Sequence, residues 1–199
     1  MLWPRRLSPA GTRITFADLW AIWLGMMFLP NRRRRLCDDL ELKFGVQHAF
    51  LTNSGRASLT VILSAISEGN TRNEVIIPAY TCFSVPSAIR RAGLKVRLVD
   101  LQKSNFDYDF AHLERAISNK TLAILLVYPF GLGCDVRQVQ QLAKKNGVYL
   151  IEDVAQSMGL RVGGLFAGTI GDVGFYSLSK GKPITAIRGG IIVTNREDL

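Results

Sequence analysis

The chain has only three cysteines and two histidines in 199 residues. Cys37, Cys82 and Cys134 stand far apart with no Cys-x-x-Cys pair, which argues against a disulfide framework or a zinc site and fits a reducing cytoplasm. His48 and His112 leave little for histidine-based triad or metal chemistry, so no metal is expected. The Gly-x-x-x-x-Gly-Lys-[Ser/Thr] signature of a nucleotide P-loop is missing. "GLGCD" (131–135) lacks the third glycine of a dinucleotide fingerprint and reads as a turn. Acidic residues are also scarce: 25 Lys and Arg against 16 Asp and Glu give a net charge of +9. Much of that excess is local, in "NRRRR" (31–35) and in Arg5, Arg6 and Arg13. No aromatic interleaving or nucleic-acid motif accompanies the cluster, so it reads as a solvated helix face and no nucleic-acid partner is expected.

No apolar run reaches the roughly 20 residues of a membrane span. "FADLWAIWLGMMFLP" (16–30) comes nearest, flanked by arginines and carrying Asp18, with no small-residue cleavage site after it. It is expected to be an amphipathic helix packed on the domain or on a partner subunit. Membrane association of residues 16–35 is the alternative. This places an N-terminal basic and apolar helical segment at 1–35 and one core-forming domain at 36–199.

With 48% apolar residues and no low-complexity segment, the chain has the composition of a globular protein. From residue 48 onward, β-rich apolar runs alternate with helical patterns. The expected strands are 48–52, 74–78, 95–100, 122–129, 148–153, 173–177 and 190–195; the expected helices are 57–66, 84–93, 109–117 and 136–147. Several strands are continuous apolar runs, the mark of burial on both faces of a parallel sheet. The expectation is a three-layer α/β/α sandwich around a mostly parallel sheet of about seven strands. In such sheets ligands sit beyond the carboxyl ends of the strands.

Three strand ends carry candidate chemistry. "TNSGRASL" (52–59) turns directly into a helix, whose free N–H groups can bind phosphate or merely be capped. "IEDVAQSMG" (151–159) ends a buried strand in two carboxylates that alternation sends to opposite faces. Asp153 there is either a helix N-cap or the partner of a cationic ligand atom. "GFYSLSKGKPITAIRGG" (174–190) offers Ser177, whose hydroxyl could meet a phosphate, and two lysines, Lys180 and Lys182. An amine beside a phosphate site and an acid suited to a ring nitrogen describes pyridoxal phosphate held as a Schiff base.

Taken in order, "TNSGRASL", "EVIIPAYTC", "KVRLVDL", "YPFGLGCD", "IEDVAQSMG" and "FYSLSKGKPITAIRGGIIVTN" resemble the large domain of the DegT/DnrJ/EryC1/StrS family, fold-type I pyridoxal-phosphate-dependent sugar aminotransferases. The resemblance runs from about Phe44 to Leu199 and implies a role for each matched position. Lys182 is the catalytic amine: it lies five residues after Ser177 and seven before the glycine pair, which demotes Lys180. Asp153 pairs with the pyridine nitrogen, and Gln156, expected one helical turn on, meets the phenolic oxygen. Gly55, Arg56 and Ser177 hold the phosphate. Cys82 stands where the family often has an aromatic residue stacked on the ring, and Arg188 where an acid often precedes the glycine pair. A lysine instead of the histidine of the family's dehydratases favours transamination, from glutamate or glutamine to a nucleotide-linked keto-sugar, in a homodimer. The family's smaller C-terminal domain is absent from these residues. The alternative function is therefore a truncated, non-catalytic homologue that binds the cofactor without turnover.

Overall fold

The computed structural model describes residues 15–28 and 31–199; Arg5, Arg6 and Arg13 lie outside them. Seven strands form one sheet: β1 (His48–Thr52), β2 (Glu74–Pro78), β3 (Lys95–Val99), β4 (Thr121–Val127), β5 (Tyr149–Asp153), β8 (Val173–Ser177) and β9 (Gly190–Thr194). Two-residue strands β6 (Arg161–Val162) and β7 (Leu165–Phe166) make a separate hairpin. The order across the sheet is β1-β9-β8-β5-β4-β2-β3, and only β9 runs against its neighbours.

Period-two alternation sorts the strand side chains between two cores. Val75, Ile77, Ala123, Leu125, Ile151 and Phe175 face helices α3 (Gly55–Ser67) and α4 (Ser84–Arg91). Ile76, Ile124, Leu126, Leu150 and Tyr176 face the other side, which α2 (Arg32–Phe44), α5 (Phe110–Ala116) and α6 (Val136–Asn146) cover. The three-layer sandwich expected from the sequence is the fold observed. Helix ends follow local chemistry. Asp135 accepts the N–H of Gln138 to start α6, and Gly147 at φ +58° ends it, after Lys144 and Lys145 in the last turn.

The N-terminal helix departs from one expectation. Among the described residues, the side chains of α1 (Phe16–Phe28) are largely exposed and not packed on the domain: Phe16 is 91% exposed and Trp20 61%, and Trp20 stacks on Trp23. α2 begins at Arg32, inside the segment separated at residue 35, and its Leu40 and Phe44 enter the core. Arg32 to Arg35 are exposed, as a solvated face requires. No helix among the described residues is long and apolar enough to cross a membrane.

The topology brings the carboxyl ends of β1, β2, β4, β5 and β8 to one edge of the sheet. The start of antiparallel β9 lies there too, with Gly190 paired to both Thr52 and Ser177. Gly190 must lack a side chain, because a Cβ would come within 2.5 Å of Thr52 Oγ1 and Ser58 Oγ.

Candidate functional site

At that edge lies a cavity of about 770 Å³. Its lining includes Gly55, Arg56, Cys82, Asp153, Gln156, Ser177 and Lys182, so these seven residues border one space. Lys180 is exposed and does not line it.

One wall is the start of α3. Ser54 caps the helix by accepting the N–H of Ala57 at 3.1 Å, while the N–H groups of Gly55 and Arg56 have no described acceptor. Gly55 allows the helix start to press on the end of β8, since a Cβ at this position would lie 2.9 Å from Ser177 Cβ. Ser177 Oγ in turn lies 3.0 Å from Ser179 Oγ. Two free amides and two hydroxyls thus converge where a phosphate could be held.

The floor is the end of β5, where Glu152 and Asp153 part to opposite faces as alternation requires. Glu152 is buried away from the cavity. Its carboxylate accepts hydrogen bonds from Tyr128 Oη (2.6 Å) and the N–H groups of Gly168 (2.9 Å), Ile170 (2.7 Å) and Gly171 (2.6 Å). Asp153 faces the cavity, and among the described residues its carboxyl accepts only the N–H of Ala155, at 3.0 Å. Its carboxyl is pushed up to about 6, chiefly by burial; the Ala155 N–H and the charge of Lys182 pull the other way. The fold therefore holds a buried acid that lacks a strong cationic partner, a suitable match for a protonated ring nitrogen.

No helix follows β5. Asp153 bonds two residues on, in a turn, and the next side chains tie to the loop after β4 instead of capping a helix. Gln156 Oε1 accepts the N–H of Phe130 at 3.0 Å; Ser157 Oγ accepts that of Gly131 at 3.1 Å and donates to the Tyr128 carbonyl at 2.6 Å. This corrects the expected helical turn between Asp153 and Gln156, although Gln156 still reaches the cavity. With its oxygen engaged, the NH2 of Gln156 has no described acceptor and can donate into the space.

Lys182 is returned to the cavity by a turn in which its N–H donates to the Ser179 carbonyl at 3.2 Å. Cys82 lines the same space, its thiol sulfur accepting the Ser84 hydroxyl at 3.1 Å. Thr81 was missed in the sequence: its Oγ1 is buried at the cavity without a described partner, an orphan that a ligand atom could satisfy. Ser179 was missed as well. Both lie close beyond strand ends, the signal that could have found them. No group of three or more potential metal ligands occurs among the described residues.

Asp153 gives the site a measurable pH signature. An acid whose pKa rises on folding stabilises the fold fully below its unfolded value, and that stability is lost as pH rises through about 6. Ligand-free Asp153→Asn is therefore expected to be more stable than the parent at pH 8, by about 1–3 kcal/mol, with the gain shrinking toward pH 4. Urea unfolding across this range checks it; a gain independent of pH would refute the assignment.

A seven-stranded, mostly parallel sheet whose strand ends gather a lysine, a buried acid and a helix start with free amides has the architecture of the large domain of fold-type I aminotransferases. The chain belongs to the DegT/DnrJ/EryC1/StrS aminotransferase family, matched over residues 28–199. It is 36% identical over 156 residues to the GDP-perosamine synthase of Escherichia coli O157:H7, covering 77% of this chain and 42% of that protein. It is 31% identical over 201 residues to the L-glutamine:2-deoxy-scyllo-inosose aminotransferase of Streptoalloteichus tenebrarius, covering 100% of this chain and 47% of that one. Among solved structures, a putative sugar aminotransferase from Streptococcus pneumoniae in its PLP form superposes with a TM-score of 0.88 at 25% identity, over 96% of this chain and 53% of that one. The chain spans about half the length of the curated relatives it matches.

Proposed function

We propose that the chain forms the cofactor-binding part of a pyridoxal-phosphate-dependent aminotransferase that transfers an amino group, from glutamate or glutamine, to a nucleotide-linked keto-sugar. The observation that carries this reading is the convergence of Lys182, Asp153 and the α3 start on one cavity. The residues fit the cofactor: an under-partnered buried acid, free amides beside hydroxyls, and an orphaned Thr81 hydroxyl all call for such a ligand. When bound, pyridoxal phosphate supplies an electron-poor ring that takes up the electron pair left at the amino acid's α-carbon.

The chain's own groups supply the rest. Asp153 keeps a proton on the ring nitrogen, and the Gln156 NH2 donates to the phenolic oxygen. Gly55, Arg56 and Ser177, joined by Ser179, hold the phosphate. Cys82, which lines the cavity, would be within the space that takes the cofactor. Lys182 would carry the covalent link and, once the incoming amino acid's amine has displaced its own, would be free to take the proton from that amino acid's α-carbon.

The test is borohydride reduction of the chain mixed with pyridoxal phosphate, followed by peptide mapping. Label on Lys182 supports the reading; label on Lys180, or none, sinks it. Added glutamate should then convert the visible absorbance to that of the amine form. An unchanged spectrum would instead favour a chain that binds the cofactor without turnover.

The protein is also proposed to act as a cytoplasmic homodimer. Its three cysteines are all free, and the exposed apolar surface of α1 is suited to burial against a partner subunit. Light scattering should give a dimer mass for the parent and a monomer mass for a Trp20→Asp, Trp23→Asp double variant. A monomeric parent would exclude the dimer.

A further inference from the structure

The segment between β8 and β9 contains a strained turn whose one evident product is the placement of Arg188. Ile187 adopts φ +67°, a region that β-branched residues avoid. The N–H of Arg188 bonds to the Ala186 carbonyl at 2.7 Å, closing a three-residue γ-turn with positive central φ, the rare and strained form. The turn is fixed from both sides. Ala186 N–H donates to the Leu178 carbonyl at 2.9 Å, Leu178 N–H donates to the Gly189 carbonyl at 2.9 Å, and the Thr185 hydroxyl oxygen accepts the Ile187 N–H at 3.1 Å. Backbone strain of this kind persists where the surroundings over-determine it, and it gathers at ligand sites.

Arg188 lines the cavity, and its guanidinium makes no hydrogen bond or ion pair to any described residue. The other arginine there, Arg56, is engaged differently: its guanidinium lies 5.7 Å from the centre of the Phe83 ring. The cavity therefore carries three cationic side chains, Arg56, Lys182 and Arg188, against one acid, Asp153. The proposed function assigns Lys182 to the covalent link and Asp153 to the ring nitrogen, and a phosphate at the α3 start answers the free amides there. Of the two guanidinium groups, Arg56 stands over the Phe83 ring, and Arg188 has no partner among the described residues.

We infer that Arg188 is a substrate-recognition residue that grips an oxyanion pair of the incoming substrate in a bidentate manner, either a carboxylate or a diphosphate. The inference rests on the aminotransferase reading above. A guanidinium presents parallel N–H donors that match both groups, and such pairs add geometric selectivity to charge. The two sources correspond to the two substrates of amino transfer, the amino-acid donor and the nucleotide-linked sugar. In either case Arg188 orients a substrate; because Gly189, next in the chain, pairs with Ser54 at the α3 start, loss of the cofactor absorbance in Arg188→Ala would instead assign its guanidinium to the cofactor phosphate and overturn the inference.

The test uses the full chain loaded with pyridoxal phosphate, its visible absorbance recorded first, then titrated calorimetrically with 2-oxoglutarate and, separately, with UDP. Arg188→Ala should keep the absorbance and weaken one of the two ligands by about tenfold or more, with Arg188→Lys recovering part of the loss. Loss for 2-oxoglutarate identifies a carboxylate grip; loss for UDP identifies a diphosphate grip. If the cofactor stays bound and both ligands bind the alanine variant as they bind the parent, or neither binds the parent, the assignment of Arg188 is wrong while the aminotransferase reading stands. If the parent takes up no cofactor, both fall together.

Discussion

Lys182→Ala is expected to abolish covalent retention of pyridoxal phosphate and to slow proton transfer from the amino acid's α-carbon by about a thousandfold, whereas Lys180→Ala changes neither. Position alone separates the two lysines. Lys182 lines the cavity with Asp153 and Ser177, and Lys180 points to solvent outside it. The magnitude follows from the two tasks assigned to one amine, as covalent anchor and as proton carrier; a positioned proton carrier by itself contributes about 10²–10⁴-fold. Dialysis of the loaded protein followed by absorbance reads the first task. Loss of deuterium from α-deuterated glutamate reads the second, and does so without a complete catalytic cycle. A third consequence is independent of the cofactor. The charge of Lys182 holds down the pKa of Asp153, so in the ligand-free alanine variant Asp153 should titrate at higher pH than in the parent, as carboxyl NMR would show. If Lys180→Ala instead loses the cofactor, the count from Ser177 to the reactive amine is wrong.

Much of the sheet was legible because its strands carry their own signal. "HAFLT", "EVIIP" and "VGFYS" coincide with β1, β2 and β8 residue for residue, since each is a short apolar or β-branched run bounded by turn residues. The acid pair at 152–153 was legible for the same reason: a period of two cannot place adjacent residues on one face. The hairpin at 161–166 escaped because two-residue strands show no periodicity at all. The expected helical turn after Asp153 failed on tertiary grounds. Gln156 and Ser157 satisfy the backbone N–H groups of Phe130 and Gly131, bonds made 26 residues away that no local pattern encodes. α1 met the opposite fate, since apolar composition foretold a helix but not what covers it. Thr81 and Arg188 show where site reading from sequence stops. The one matters for a hydroxyl left without a partner and the other for a strained turn, and both are properties of the folded arrangement.

Glu152 is where the same reasoning yields the largest expected loss of stability. Glu152→Ala should destabilise the fold by about 4–6 kcal/mol, a large share of the roughly 5–15 kcal/mol that holds a domain together. The carboxylate is fully buried and satisfies four donors at once: Tyr128 Oη and the N–H groups of Gly168, Ile170 and Gly171. Truncation leaves all four unpaired in a cavity, and each buried orphan costs about 1–3 kcal/mol unless water replaces the acceptor. Glu152→Gln should fall between parent and alanine, because an amide keeps one acceptor oxygen but turns an NH2 toward N–H groups. Tyr128→Phe, which removes a single donor, should cost about 1 kcal/mol. Urea unfolding orders the three, and a loss below about 1 kcal/mol for Glu152→Ala would mean the loop is held by something else. The effect reaches the cavity through β8. Gly168 packs so closely over Gly174 that a Cβ at 174 would collide with the Gly168 carbonyl, and Tyr176 Oη donates to the Ala167 carbonyl at 2.7 Å. The loop that Glu152 anchors therefore clamps β8, whose last residue is Ser177, beside β5, whose last residue is Asp153. Glu152→Ala should consequently weaken pyridoxal phosphate retention at temperatures well below unfolding, although Glu152 itself faces away from the cavity.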